Sequence, residues 1–185
     1  MIKVSRLRIF KTGGSVRKKV ETKINWAQIK LLALDFDGTL TDGFVYTDQE
    51  GREFVRCSRR DSLGINALKR LGIIVVVIST ETNSVVDVRC KKLGIESFSG
   101  ISGERKLFVL ARYMEKNRIG QIQVAYMGDD INDIGCLEFA GIAITVADGH
   151  ELCKDYADYI TKKTGGNHAV REVCDLILKD RGISN

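Results

Sequence analysis

The 185-residue sequence predicts an α/β domain built on a mainly parallel sheet flanked by helices. Three observations predict it. Apolar runs such as "LLAL" and "IIVVVI" lack polar alternation, as strands covered on both faces do. Stretches with helical spacing separate those runs and give a β-α-β-α rhythm. The polar residues capable of chemistry fall where the runs end, the edge at which such sheets keep their sites.

The elements follow in order. "IKLLALDFD" is a strand. "FVYTDQEGREFVR" is two short strands around an "EG" turn, a hairpin. "SLGINALKRL" has helical spacing through Leu63, Ala67, Leu68 and Leu71, and "GIIVVVIST" is a strand buried on both sides. "NSVVDVRCKKLG" is a helix with Asn83 as N-cap and Gly94 just past its end. "IESFSG" is a short strand, and "GERKLFVLARYMEKNRIG" is the longest helix. "QIQVAYMGDD" is a strand, "INDIGCLEFAG" a helix ending at Gly141, and "IAITVAD" and "ADYIT" are strands. After the Gly-rich "TKKTGGN", "NHAVREVCDLILKD" closes the chain as a helix.

Composition narrows the class. Hydrophobic residues make up 44%, a normal globular share. The longest apolar run is far too short to span a membrane, and no secretory signal is evident. Five scattered cysteines without a Cys-x-x-Cys pair read as reduced thiols of a cytoplasmic protein. The net charge of +5 is uneven: residues 1–30 carry +8 and the remainder −3. The expected division is therefore a basic extension over 1–27 and one domain over 28–185. A basic arm can meet nucleic acid or an anionic surface. A solvated tail is the simpler reading, and neither a nucleic-acid nor a membrane partner is expected.

The strand ends hold the chemistry. The first ends in Asp35 and Asp37, followed by Gly38 and Thr39; the next ends in Ser79, Thr80 and Glu81; a later one ends in Gly128, Asp129 and Asp130, with Asp133 beyond. Lys106, at the start of the longest helix, can reach the same edge. Crowded carboxylates repel, and a divalent cation offsets that repulsion. Oxygen donors without His or Cys suit Mg²⁺. Asp35 is placed as a nucleophile and Asp37 as its acid or base, while the backbone N–H groups near Gly38 and Thr39 can face a phosphate.

"DFDGTLTDG", Ser79, Lys106 and "GDDINDIG" together resemble the four motifs of the haloacid dehalogenase superfamily of phosphohydrolases, with a Rossmann-like core. "LTDG", "RRDSLGI" and "TGGNHAVREV" resemble its capless sugar-acid branch. That branch holds octulosonate 8-phosphate phosphatases, nonulosonate 9-phosphate phosphatases and the phosphatase-like domain attached to some acylneuraminate cytidylyltransferases. Spacing agrees independently: about forty residues separate Asp37 from Ser79, and the hairpin and one helix use them all, leaving no room for a cap domain.

The resemblance implies a Mg²⁺-dependent phosphatase acting on a phosphorylated 2-keto-3-deoxy sugar acid. Asp35 would form an aspartyl-phosphate, Asp37 would act as acid and base, and Ser79 and Lys106 would hold phosphoryl oxygens. The metal would be held by Asp35, the backbone carbonyl of Asp37, and Asp129; Asp130 and Asp133 would orient bound waters or Lys106. Gly38, Thr39, Arg60, Asp61, Thr80, Glu81, Gly165, Gly166 and Arg171 would line the substrate, the tail from Gly165 to Arg171 reaching a neighbour's site in a homotetramer. The apolar hairpin residues Phe44, Val45, Tyr46, Phe54 and Val55 are expected at that oligomer interface. Three positions depart from the branch's octulosonate pattern: Glu81 stands for an Arg, as in the nonulosonate branch, and Ser62 and His168 stand where Gly is common. The alternative is a weakly catalytic or non-catalytic oligomerising module that serves a cytidylyltransferase.

Overall fold

The computed structural model describes residues 4–5 and 21–183. Most of the basic extension, including Lys11, Arg17 and Lys18, lies outside the described residues. Two short strands, β1 (Val4–Ser5) and β2 (Glu21–Thr22), pair antiparallel ahead of the body.

Six strands form one parallel sheet. They are β3 (Leu31–Leu34), β6 (Ile74–Ile78), β7 (Glu96–Phe98), β8 (Val124–Met127), β9 (Ile142–Thr145) and β10 (Tyr159–Ile160), in the spatial order β10-β9-β8-β3-β6-β7. The chain leaves β3 toward β6 and β7, then returns to the other side of β3 with β8. That reversal places the carboxyl ends of β3 and β8 side by side, and a crevice opens where strand order reverses.

Helices α1 (Arg59–Arg70), α2 (Val85–Leu93) and α6 (Ala169–Asp180) pack on one face with Leu32, Leu34, Val75 and Val77. Helices α3 (Gly103–Lys116), α4 (Ile134–Phe139) and α5 (Glu151–Tyr156) have their buried residues on the other face, with Leu31, Ala33, Val76 and Ile78. Both faces of β3 are thus fully buried, as its unalternating sequence requires. Trp26 and Ile24 belong to this core, slightly ahead of residue 28; Trp26 meets Tyr159 edge-to-face at 5.4 Å. No helix among the described residues is long and apolar enough to cross a membrane.

The insertion after the first motif is the hairpin β4 (Thr41–Thr47) and β5 (Glu53–Cys57), and no cap domain is present among the described residues. The periodicity of α1 needs a correction. Its buried face runs through Asp61, Gly64, Ile65 and Leu68, while Leu63 is 61% exposed and Leu71 38%. The reason is close packing on α6: a Cβ at Gly64 would stand 2.8 Å from Cys174 Cβ. At α2 the first full helical residue is Val85, yet Asn83 still caps it, its Oδ1 accepting the Val85 N–H at 3.0 Å. Gly94 ends the helix in the left-handed region at φ 63°. Helix α5 was not anticipated; at six residues it is too short to show a period, and the exposed His150 caps it by accepting the Leu152 N–H.

Candidate active site

Asp35 continues the ladder of β3, its N–H donating to Met127 O at 2.9 Å. The chain then turns sharply: Phe36 O accepts from Leu40 and Thr41, and Gly38 adopts φ 70°. Only glycine fits there, because a Cβ would stand 1.9 Å from Asp129 Oδ2. Thr41 Oγ1 accepts from the N–H groups of Gly38 and Gly43 and donates to Asp37 Oδ1 at 3.2 Å. This hydroxyl therefore holds the Asp37 carboxyl in place.

Lys106 is fully buried and its Nζ sits 2.8 Å from both Asp35 Oδ1 and Asp133 Oδ1. Asp133 is spent on organisation. Its Oδ1 also accepts from Tyr126 OH at 2.6 Å, and its Oδ2 accepts from the N–H of Asp129 at 3.1 Å. Asp129 Oδ1 accepts from Thr39 Oγ1 at 3.4 Å. Asp35 and Asp129 each keep an Oδ2 with no hydrogen-bond partner among the described residues.

Carboxylate oxygens of Asp35, Asp129 and Asp133 lie within 4.8 Å of one another. Three carboxylates against one ammonium leave two negative charges uncompensated, which a single divalent cation neutralises. The donors are all oxygen, so the residues fit a hard cation such as Mg²⁺. The pKa directions show the crowding. Burial, then Asp133, push Asp35 well above the usual carboxylate range, against the pull of Lys106. Burial, with Asp133 and Asp130, pushes Asp129 up to about 7. Burial also raises Asp37, against the Thr41 hydrogen bond. Burial opposes the charge on Lys106, yet Asp35 and Asp133 raise it above its ordinary value.

Other expected residues fall at varied distances from this centre. Ser79 is buried at the end of β6, its Oγ accepting the Glu81 N–H at 3.1 Å. Thr80 is exposed, and the half-buried Glu81 accepts the Asn83 N–H. The exposed Asp130 carboxylate accepts the Ile131 N–H, starting the short turn that carries Asp133. Asp61 is buried between helices, its Oδ1 accepting the Arg171 N–H at 2.8 Å, so these two residues join α1 to α6. Arg60 is exposed at the start of α1. Gly165 and Gly166 lie against their own chain's first motif: a Cβ on Gly165 would stand 1.8 Å from Gly38 O, and Gly166 N–H donates to Thr39 O at 3.2 Å. Within the chain, this tail packs on the loop that positions Asp37.

Sequence reasoning missed Tyr126 and Thr41. The signal for Tyr126 was a lone phenol in a buried strand, whose hydroxyl must find a partner. For Thr41 it was a hydroxyl four residues after Asp37 in a glycine-bearing turn.

The fold and this cluster have relatives. Residues 102–173 match the sequence model of the haloacid dehalogenase-like hydrolases. The 3-deoxy-D-manno-octulosonate 8-phosphate phosphatase of Salmonella typhi is 40% identical over 170 residues, covering 91% of this chain and 88% of that one. Among solved structures, the corresponding phosphatase of Moraxella catarrhalis, in complex with magnesium, phosphate and KDO, aligns with TM-score 0.81 at 43% identity. That alignment covers 84% of this chain and 89% of that one. The Yersinia pestis phosphatase aligns with TM-score 0.83 at 35% identity, covering 89% of each. The chain belongs to the 3-deoxy-D-manno-octulosonate 8-phosphate phosphatase family of the haloacid dehalogenase-like hydrolases.

Proposed function

We propose that the protein is a Mg²⁺-dependent phosphatase that releases phosphate from 3-deoxy-D-manno-octulosonate 8-phosphate. The observation that carries this reading is the convergence of Asp35, Asp129 and Asp133 around Lys106 at the ends of adjacent strands, in a chain 40% identical to a phosphatase of that name.

Asp35 attacks phosphorus and takes the phosphoryl group as an aspartyl-phosphate. Asp37, whose hold on a proton is strengthened by burial and whose carboxyl is steered by Thr41, protonates the leaving sugar oxygen and then takes a proton from the attacking water. Lys106 and Ser79 stabilise phosphoryl oxygens as charge gathers there. Asp35, Asp129 and the Asp37 backbone carbonyl would hold Mg²⁺, which supplies charge neutralisation between nucleophile and phosphate. Asp133 keeps Lys106 aligned.

The hairpin supports assembly. Phe44, Val45, Tyr46 and Phe54 are all exposed, with Phe44 at 70%. Such a cluster on a two-stranded hairpin favours burial against another subunit, and a homotetramer is the proposed state. The five free cysteines suit a reducing, cytoplasmic setting.

A second reading concerns the sugar. Glu81, where octulosonate phosphatases carry Arg, favours a nine-carbon nonulosonate 9-phosphate. Phosphate release with Mg²⁺ from the eight-carbon and two nine-carbon substrates, with Asp35→Asn alongside, tests both readings. Turnover of the eight-carbon ester that vanishes in the variant is expected. Preference for a nine-carbon ester would transfer the assignment, and no turnover from folded protein would overturn it.

A further inference from the structure

A cavity of about 330 Å³ lies beside the hairpin base, lined by Arg56, Ser58, Arg59, Arg60, Asn167 and His168 among others. None of Asp35, Ser79, Lys106 or Asp129 lines it. Every charged lining group is a guanidinium. Arg56 is paired with Asp42 at 2.8 Å, whereas Arg59 and Arg60 have no acidic partner among the described residues. Guanidinium forks match the planar oxygens of carboxylate and the oxygens of phosphate.

The remaining polar groups add donors. His168 is a non-glycine residue at φ 76°, and its Nδ1 lies 2.8 Å from Ser58 Oγ. That Oγ already accepts the Arg60 N–H at 3.1 Å. Its own proton is then best given to Nδ1 of a neutral imidazole, which leaves the ring proton on Nε2 as a donor. Neutrality agrees with the surroundings: desolvation, then Arg60, Lys163 and Arg56, hold His168 below its ordinary pKa. Asn167 contributes an amide. The cavity also shares a wall with the catalytic loop, because Gly166 packs on the Thr41–Asp42 backbone and Arg56 grips Asp42.

We propose that this cavity is a second oxyanion site, separate from the catalytic centre, in which Arg59, Arg60 and His168 bind a carboxylate or phosphate group. Two sources supply that chemistry. One is the carboxylate end of a sugar acid, which makes the cavity an extension of the substrate site and rests on the phosphatase reading. The other is free phosphate, the product of the reaction.

The test is calorimetric titration of the full-length, EDTA-treated protein with inorganic phosphate and, separately, with the unphosphorylated octulosonate. Without metal or turnover, the outcome does not depend on the phosphatase assay. The Arg59→Ala/Arg60→Ala pair should weaken binding by at least about tenfold, as loss of charge-assisted bonds does. His168→Gly should weaken it by about three- to tenfold; glycine takes φ 76° without strain, so this variant keeps the fold. Phosphate binding that the variants lose identifies the product as the ligand. Sugar-acid binding without phosphate binding, again lost in the variants, identifies the carboxylate. Absence of binding by either probe, or equal binding by wild type and both variants, overturns the proposal.

Discussion

Replacing Lys106 with Met should lower stability and activity while strengthening the response to Mg²⁺. The ammonium is fully buried and holds two carboxylates at 2.8 Å. Coulomb attraction at that distance, with an effective dielectric near 20, is about 6 kcal/mol per pair. Desolvation offsets much of it. Removing one member of such a buried set typically costs about 3–5 kcal/mol, because the remaining charges stay buried without a partner. For a chain of this size that corresponds to a fall in Tm of roughly 10 °C in EDTA. The three carboxylates then lack any cation, so Mg²⁺ should raise the Tm of the variant more than that of the wild type. Turnover should nevertheless fall by about 10²- to 10³-fold, since a donor to the transferring phosphoryl group is gone. The assay is thermal unfolding with EDTA and across a Mg²⁺ titration, paired with phosphate release. Equal stability in EDTA, or a smaller Mg²⁺ shift in the variant, would refute the view that Lys106 offsets part of a cation site's charge.

Further tests follow from the same geometry. Burial raises the Asp61 pKa to about 6, against the Arg171 hydrogen bond, and its Oδ2 is buried without a partner. A carboxyl raised in the folded state stabilises fully below its unfolded pKa, near 4, and that contribution disappears as pH rises through 6. Asp61→Asn should therefore flatten a loss of roughly 3 kcal/mol between those limits and exceed wild-type Tm at pH 8; parallel Tm–pH curves would contradict this. Gly165→Ala brings a Cβ to 1.8 Å from the Gly38 carbonyl. The catalytic loop or the tail must shift, so kcat should drop by about 10²-fold, and wild-type kinetics would show that the tail does not support the loop. Phe44→Asp with Tyr46→Asp places charges on the exposed hairpin and should shift gel filtration toward monomer; an unchanged elution volume would remove the hairpin from the interface.

The sequence was most informative where chemistry and backbone coincide. Asp35 directly follows, and Asp129 follows after Gly128, strands whose both-face burial is written in "LLAL" and "VAYM", so their place at the sheet edge could be read. Ser79 could be read for the same reason, and Lys106 because it opens the longest helix, within reach of that edge. What depends on partners distant in the chain could not. Asp61 looked like a substrate ligand because it sits in a distinctive motif, yet its carboxylate is turned to the Arg171 N–H across 110 residues. Leu63 has a helical period but points outward, because the closest approach of α1 to α6 passes through Gly64. The tail glycines, expected along the substrate, gave no sign of the backbone they touch, that of Gly38, Thr41 and Asp42 far earlier in the chain.

The division of labour among the carboxylates follows from which oxygens are already taken. Asp133 sits in the trio of closest acids, and proximity alone would make it a metal ligand. Yet Lys106 and Tyr126 take one of its oxygens and the Asp129 N–H takes the other. Gly128 shows how tightly that carboxylate is seated: a Cβ there would lie 2.3 Å from it. Asp35 and Asp129 each retain an unpartnered oxygen. They are therefore the side chains with capacity left to bind a cation, and Asp133 contributes by fixing the lysine and the backbone that position them.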